Sequence, residues 1–138
     1  MIGILLVTHG TLGDTLIDGA THILGKRPEQ VESVSITGHA SQDEVTAAIN
    51  ARLAELDQGE GVLILADIFG ATPCNCVTQA LATGKVEGVA GVNLPMLIKV
   101  LSYRYLTLLE LTPKAVSGGT EGIFNLADQL KNNASAVY

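Results

Sequence analysis

Two residues of complementary chemistry, His9 and Asp67, each follow an unbroken apolar run of the sequence. The runs, residues 2–7 and 62–66, are typical of strands that are covered on both faces in a parallel sheet. Ligands of open α/β sheets bind beyond the carboxyl ends of the strands, so an imidazole and a carboxylate at those ends are expected to meet a substrate. A carboxylate bound to one ring nitrogen of His9 would fix the tautomer and leave the other nitrogen as a nucleophile.

The residues around these strand ends also suit an anionic reactant. A predicted helix begins shortly after Asp67, and the first N–H groups of a helix attract phosphate. Five residues are expected to bind a phosphoryl group through backbone N–H groups or a hydroxyl: Gly10, Thr11, Gly70, Ala71 and Thr72. The pattern therefore favours transfer of a phosphoryl group to His9.

Four strand–helix pairs are predicted to position these residues. Strands are expected at residues 2–7, 31–36, 62–66 and 86–92, and helices at residues 14–24, 41–56, 72–83 and 93–103. Right-handed crossovers then predict an α/β fold with a doubly wound, mostly parallel, flavodoxin-like sheet of order 2-1-3-4. This order places strands one and three side by side, so His9 and Asp67 would be neighbours.

The alternation of strand and helix weakens after residue 105. Residues 106–111 fit either helix or strand, Pro113 interrupts them, and Gly118-Gly119 predicts a break. We expect a helix here and then a short strand at residues 123–126. Residues 1–130 are predicted to form one domain, and residues 131–138 a C-terminal tail.

Composition excludes several classes of function. The formal charge of −6 opposes binding to nucleic acid or to an anionic membrane surface. Residues 2–7 are too short to span a bilayer and no basic segment precedes them, so we expect a cytoplasmic protein without membrane insertion. Cys74 and Cys76 lie two positions apart, where helical side chains do not face each other, so no disulfide is predicted. No metal site or cofactor is predicted either.

Three stretches resemble the signature segments of the mannose-family IIA component of the bacterial sugar phosphotransferase system. They are Val7-Thr8-His9-Gly10, Asp67-Ile68-Phe69-Gly70-Ala71-Thr72-Pro73-Cys74-Asn75 and Gly91-Val92-Asn93-Leu94-Pro95-Met96-Leu97. The resemblance implies a homodimeric phosphocarrier in which His9 Nε2 accepts a phosphoryl group from phosphorylated HPr and delivers it to a IIB component. It implies that Asp67 holds Nδ1–H, and that the last strand pairs antiparallel with the sheet of the partner subunit.

Three departures from the family pattern accompany this resemblance. Thr72 stands where many members have Ser, and Pro113 lies where the family has helix. The chain stops at Tyr138, whereas some members continue through a linker into a fused IIB domain. We therefore expect the IIB component to be a separate protein.

Three other functions fit parts of the pattern. A regulatory phosphocarrier without sugar transport would use the same chemistry at His9. A receiver-type module phosphorylated on Asp67 would need an acidic pair after the first strand, where the sequence has Thr8-His9. A tetrapyrrole metal chelatase would need further ligands beside His9, and neither His22 nor His39 has an evident reason to converge on it.

Overall fold

The computed structural model of the chain describes residues 1–70 and 72–131, and for residues 72–74 and 131 it describes the backbone alone. The described part contains four strands: β1 (Gly3–His9), β2 (Val31–Ile36), β3 (Val62–Ala66) and β4 (Val86–Ala90). It contains six helices: α1 (Leu12–Leu24), α2 (Gln42–Leu56), α3 (Thr72–Ala80), α4 (Leu94–Ser102), α5 (Leu108–Glu121) and α6 (Leu126–Lys131). Most of the predicted tail, residues 132–138, lies outside the described residues.

The four strands form one parallel sheet in the order β2-β1-β3-β4. This order confirms the predicted doubly wound sheet. In the register of the central pair, Val7 lies opposite Ala66, so β1 and β3 end at the same edge. This register brings His9, two residues after Val7, close to Asp67, which directly follows Ala66.

The sheet is covered by helices on both faces, which explains the two continuous apolar runs. On one face Ile4 and Leu6 of β1 pack in a core with α1, α4 and α5. On the other face Leu5 and Val7 pack in a second core with α2 and α3. Because successive strand residues point to opposite faces, a central strand between two helix layers needs apolar side chains at every position.

Side-chain caps begin both α2 and α4. Ser41 Oγ accepts the Glu44 N–H at 3.1 Å, and the same hydroxyl donates to Glu44 Oε1 at 3.2 Å. Asn93 Oδ1 accepts the Met96 N–H at 2.9 Å, and Pro95 occupies the first turn of α4. Helix α3 ends at Ala80, before the predicted residue 83, because the chain then turns into a bridge that precedes β4.

The predicted interruption at Pro113 and the predicted break at Gly118-Gly119 are both wrong, since α5 runs through these positions. Pro113 is exposed, and so is Leu109, whose carbonyl loses its N–H partner to the proline. The two glycines permit close packing against α4. A Cβ atom at Gly118 would lie 2.6 Å from Lys99 Cβ, and one at Gly119 would lie 2.8 Å from Met96 Cε.

The strand predicted at residues 123–126 is not formed in the described part of this single chain. Residues 123–125 are irregular and α6 follows. Asn125 Oδ1 accepts the N–H groups of Ala127 and Asp128 at 2.9 and 3.2 Å. This cap favours a helix start over an extended segment.

Candidate active site

His9 and Asp67 form the centre of the site, at the carboxyl ends of β1 and β3. The Nδ1 atom of His9 lies 3.0 Å from Oδ2 and 3.3 Å from Oδ1 of Asp67. The backbone N–H of His9 donates to Asp67 Oδ2 at 2.9 Å, and the Ile68 N–H donates to Oδ1 at 2.8 Å. The carboxylate therefore holds both the ring and the main chain of His9.

The environment of Asp67 favours its charged form. Burial opposes ionisation of this side chain, which is 13% exposed. The hydrogen bonds from the backbone and ring of His9 and from the Ile68 N–H outweigh burial, and they hold the pKa of Asp67 below its ordinary value of 3.8. Asp67 is thus a carboxylate at neutral pH.

The geometry assigns different roles to the two ring nitrogens of His9. An ionised carboxylate can only accept hydrogen bonds, so the neutral ring carries its proton on Nδ1. The lone pair then lies on Nε2. The side chain is 47% exposed, which leaves the ring accessible to a reactant from solution. This arrangement provides a nucleophilic nitrogen, Nε2, in a ring with a fixed tautomer.

The turn after His9 contains two of the predicted phosphoryl-binding residues. Gly10 has φ +56°, a left-handed conformation that favours glycine, and it turns the chain out of β1. Its N–H donates to the Ile36 carbonyl at 3.0 Å, so in this structure that group is already used. Thr11 follows Gly10 and directly precedes α1.

The other three predicted residues follow Asp67 in the sequence, up to the first residue of α3. Gly70 is exposed, with φ +98° in the turn. Ala71 lies outside the described residues, and Thr72 is the first residue of α3, described by its backbone alone. The amino end of α3 therefore follows Asp67 within five residues, as the sequence predicted.

Two features beside the pair were not predicted. The backbone N–H of His9 donates to the Asp67 carboxylate. Thr8 is buried next to His9, and its hydroxyl accepts the backbone N–H of Gly13 in α1. A single hydroxyl in an otherwise apolar strand was the sequence signal for Thr8. Exposed apolar side chains, Ile68 and Phe69, border the site at 60% and 75% exposure.

The other two histidines are placed apart from these roles. His22 lies in the last turn of α1 and His39 is exposed in the loop after β2. Among the described residues, no group of three or more His, Cys, Asp or Glu side chains is arranged to hold a metal ion. None of the described helices is long and apolar enough to cross a membrane.

Comparison with known proteins places the chain in a family. Residues 3–116 match the EIIA-man family, which is described as the PTS system fructose IIA component. The chain belongs to the mannose-family IIA components of the sugar phosphotransferase system. This family assignment confirms the resemblance seen in the three sequence segments.

Individual relatives of this IIA chain agree with the assignment. It is 31% identical over 113 residues to the fructose-specific EIIA component of Bacillus subtilis, covering 80% of this chain and 77% of that protein. It is 34% identical over 125 residues, 88% of this chain, to the mannose-specific EIIAB component of Escherichia coli K12. The IIA chain spans 38% of the length of that relative.

A solved structure has the same fold. The component EIIA from Streptococcus agalactiae superposes with a TM-score of 0.82 at 25% identity. The alignment covers 93% of the IIA chain and 99% of the solved chain. The parallel sheet with helices on both faces is therefore shared with a IIA component of known structure.

Proposed function

We propose that this chain is a phosphocarrier whose His9 accepts a phosphoryl group from phosphorylated HPr and passes it to a IIB component. The observation that carries the proposal is the His9–Asp67 pair, in which Nδ1 lies 3.0 Å from the carboxylate while the ring is half exposed. Membership of the IIA family supports the same role. A cytoplasmic location follows from this role as an expectation.

The transfer is a displacement at phosphorus between two nitrogen atoms. The lone pair of His9 Nε2 attacks the phosphorus of phosphorylated HPr, and a new N–P bond forms. The N–P bond of the donor breaks, and its electron pair returns to the donor nitrogen. The His9 ring gains positive charge in this step, and the Asp67 carboxylate on Nδ1–H stabilises that charge. Delivery to IIB is the same displacement with His9 as the leaving group.

The transferred group carries negative charge that nearby backbone dipoles can stabilise. The amino end of α3 begins after Asp67, and helix N-termini attract phosphoryl oxygens. We assign this role to the five predicted residues, Gly10, Thr11, Gly70, Ala71 and Thr72. Gly10 can donate its N–H to the phosphoryl group only if it releases the Ile36 carbonyl. We infer that this chemistry serves sugar uptake, because two relatives are named as components of a mannose-specific and a fructose-specific system.

A homodimer is part of the proposal. The described part of the C-terminal segment exposes four large apolar side chains. Ile123, Leu126 and Leu130 are 74–81% exposed, and Phe124 is also exposed. Such surfaces favour association with a second copy. Light scattering during gel filtration should give twice the mass of the 14.4 kDa chain, and a monomer at micromolar concentration would contradict this part of the proposal.

The test is incubation with phosphoenolpyruvate, enzyme I and HPr. The chain should gain a phosphoryl group that is labile in acid and stable in base, as expected of phosphohistidine. His9→Ala should abolish labelling, and His39→Ala, which removes an exposed histidine, should leave it unchanged. Asp67→Asn should slow labelling about a hundredfold, because the ring loses its charged partner. Full labelling of His9→Ala would contradict the proposal.

A further inference from the structure

Thr8 is the residue that joins β1 to the helix after it. Its side chain is fully buried, and no other polar or charged side chain of the described residues is classed as buried. The Thr8 Oγ1 atom accepts the backbone N–H of Gly13 at 2.7 Å. This hydrogen bond spans the turn that begins with His9, because one partner precedes the turn and the other lies beyond it.

Helix α1 depends on Thr8 for its cap. The residue in the N-cap position, Thr11, makes no side-chain hydrogen bond to the helix, whereas the N-caps of α2, α4 and α5 do. Gly13 is the second residue of α1, and its N–H is one of those that an N-cap side chain normally receives. The hydroxyl from β1 therefore performs the capping that Thr11 does not.

The approach of α1 to β1 leaves little room for a side chain at Gly13. A Cβ atom at Gly13 would lie 3.0 Å from Thr8 Oγ1, 3.2 Å from Ser33 Cβ and 3.3 Å from Leu6 Cβ. The helix start is thus packed directly on the strand end. A displaced helix start would carry the connecting residues of the turn with it.

Thr8 and His9 are held from opposite sides of the sheet. Thr8 lies on the face that packs against α1, like Leu6, whereas His9, the next residue of β1, points to the other face and contacts Asp67 beyond the end of β3. We propose that Thr8 is a positioning residue for the phosphoryl transfer: its hydroxyl fixes α1 to β1 and thereby fixes the turn that carries the His9 ring. This inference rests on the proposed function of His9.

The role should appear in the rate of transfer and not in binding of the donor. Thr8 is buried and cannot contact a protein donor, so its loss should leave KM unchanged. Misplacement of a reacting group by about 1 Å can cost on the order of a hundredfold in rate. We expect Thr8→Val to lower kcat for acceptance from phosphorylated HPr about tenfold or more.

Three further variants make this test specific. Thr8→Ser keeps the hydroxyl and should recover most of the rate, and Thr8→Ala removes the hydroxyl without adding a methyl group where Val does not fold. Thr107→Val removes the cap of α5, whose Oγ1 accepts the Glu110 N–H at 3.3 Å. It should lower the melting temperature without slowing transfer. Wild-type kcat in folded Thr8→Val or Thr8→Ala, or an equal loss in Thr107→Val, would overturn the inference.

A second donor separates this inference from the proposed function. Phosphoramidate transfers its phosphoryl group to imidazole and releases ammonia, without any partner protein. Labelling is read as the difference from His9→Ala, which retains His22 and His39. If HPr fails to label the wild type but phosphoramidate labels it faster than Thr8→Val, the HPr assignment is wrong and the role of Thr8 holds. If neither donor labels His9, both fall.

Discussion

At the scale of single residues, one carboxylate both orients the His9 ring and is itself held in place. Asp67 accepts hydrogen bonds from the ring of His9, from the backbone of His9 and from Ile68. The ring contact selects the tautomer, and the two backbone contacts fix the carboxylate itself. Because each carboxylate oxygen accepts a backbone N–H, the carboxylate and the His9 ring are held in one geometry. A nucleophile in a displacement needs such alignment.

The lowered pKa of Asp67 predicts a pH dependence of stability. A carboxylate whose pKa is lower in the folded state than in the unfolded state stabilises the fold fully above the unfolded value, and this contribution is lost as pH falls through the folded value. For Asp67 the loss should occur below its ordinary value of 3.8. The free energy of unfolding of wild type and Asp67→Asn should therefore differ most at neutral pH and converge in acid.

Urea unfolding followed by circular dichroism over a series of pH values measures this difference. Asp18→Asn, which changes an exposed aspartate of α1, is the matched control and should track the wild type throughout. A constant gap between wild type and Asp67→Asn down to the lowest pH would show that the ionised carboxylate does not stabilise the fold.

At the scale of elements, glycine acts in two different ways. Gly10 gives the turn after His9 its left-handed backbone. Gly118 and Gly119 instead lie inside α5, where they let that helix approach α4. Asn93 adds to the same contact, since its Oδ1 caps α4 and its Nδ2 donates to the Gly119 carbonyl at 3.1 Å. The start of α4 is thus tied to the end of α5.

The close contact of α5 with α4 predicts opposite effects of Gly→Ala in two helices. Alanine at Gly118 would bring its Cβ to 2.6 Å from Lys99 Cβ, and overpacking typically costs about 1–3 kcal/mol. Alanine at Gly19 of α1 would meet only Leu94 at 3.4 Å, and helix propensity favours it by about 1 kcal/mol. Chemical denaturation should show Gly118→Ala destabilised and Gly19→Ala stabilised. A stabilised Gly118→Ala would contradict this packing.

At the scale of the whole molecule, the two ends of the sheet have separate tasks. The carboxyl ends of β1 and β3 carry His9 and Asp67. At the opposite end, Arg104 joins the connection between α4 and α5 to the chain that enters β1 and β2. Its guanidinium donates to the Ile2 carbonyl at 2.6 and 3.1 Å and to the Gln30 carbonyl at 3.0 Å.

This separation predicts that Arg104→Lys weakens the fold without slowing the chemistry. An ammonium group cannot reproduce the planar set of donors, and each lost hydrogen bond costs about 0.5–1.5 kcal/mol. The free energy of unfolding should fall, while phosphoryl acceptance by His9 at 25 °C stays at the wild-type rate. Arg52→Lys changes a half-exposed arginine paired with Glu55 and should alter neither quantity. Slower transfer in folded Arg104→Lys would contradict independent ends.

The sequence by itself determined the sheet and the reactive pair. Unbroken apolar runs at β1 and β3 specify strands buried on both faces, and the rule of right-handed crossovers then leaves few strand orders. The order β2-β1-β3-β4 is one of these, and it brings His9 close to Asp67. These features were predictable because they depend on local pattern and on topology.

The tertiary structure alone decided the features that depend on contacts between distant elements. Proline and glycine in α5 indicate a break when read locally, yet packing against α4 favours an unbroken helix that buries Leu111 and Ala115. The bond from Thr8 to Gly13 and the use of the Gly10 N–H by Ile36 likewise have no local signature. Periodicity reports which residues are buried, whereas only the folded chain specifies the atoms against which they are buried.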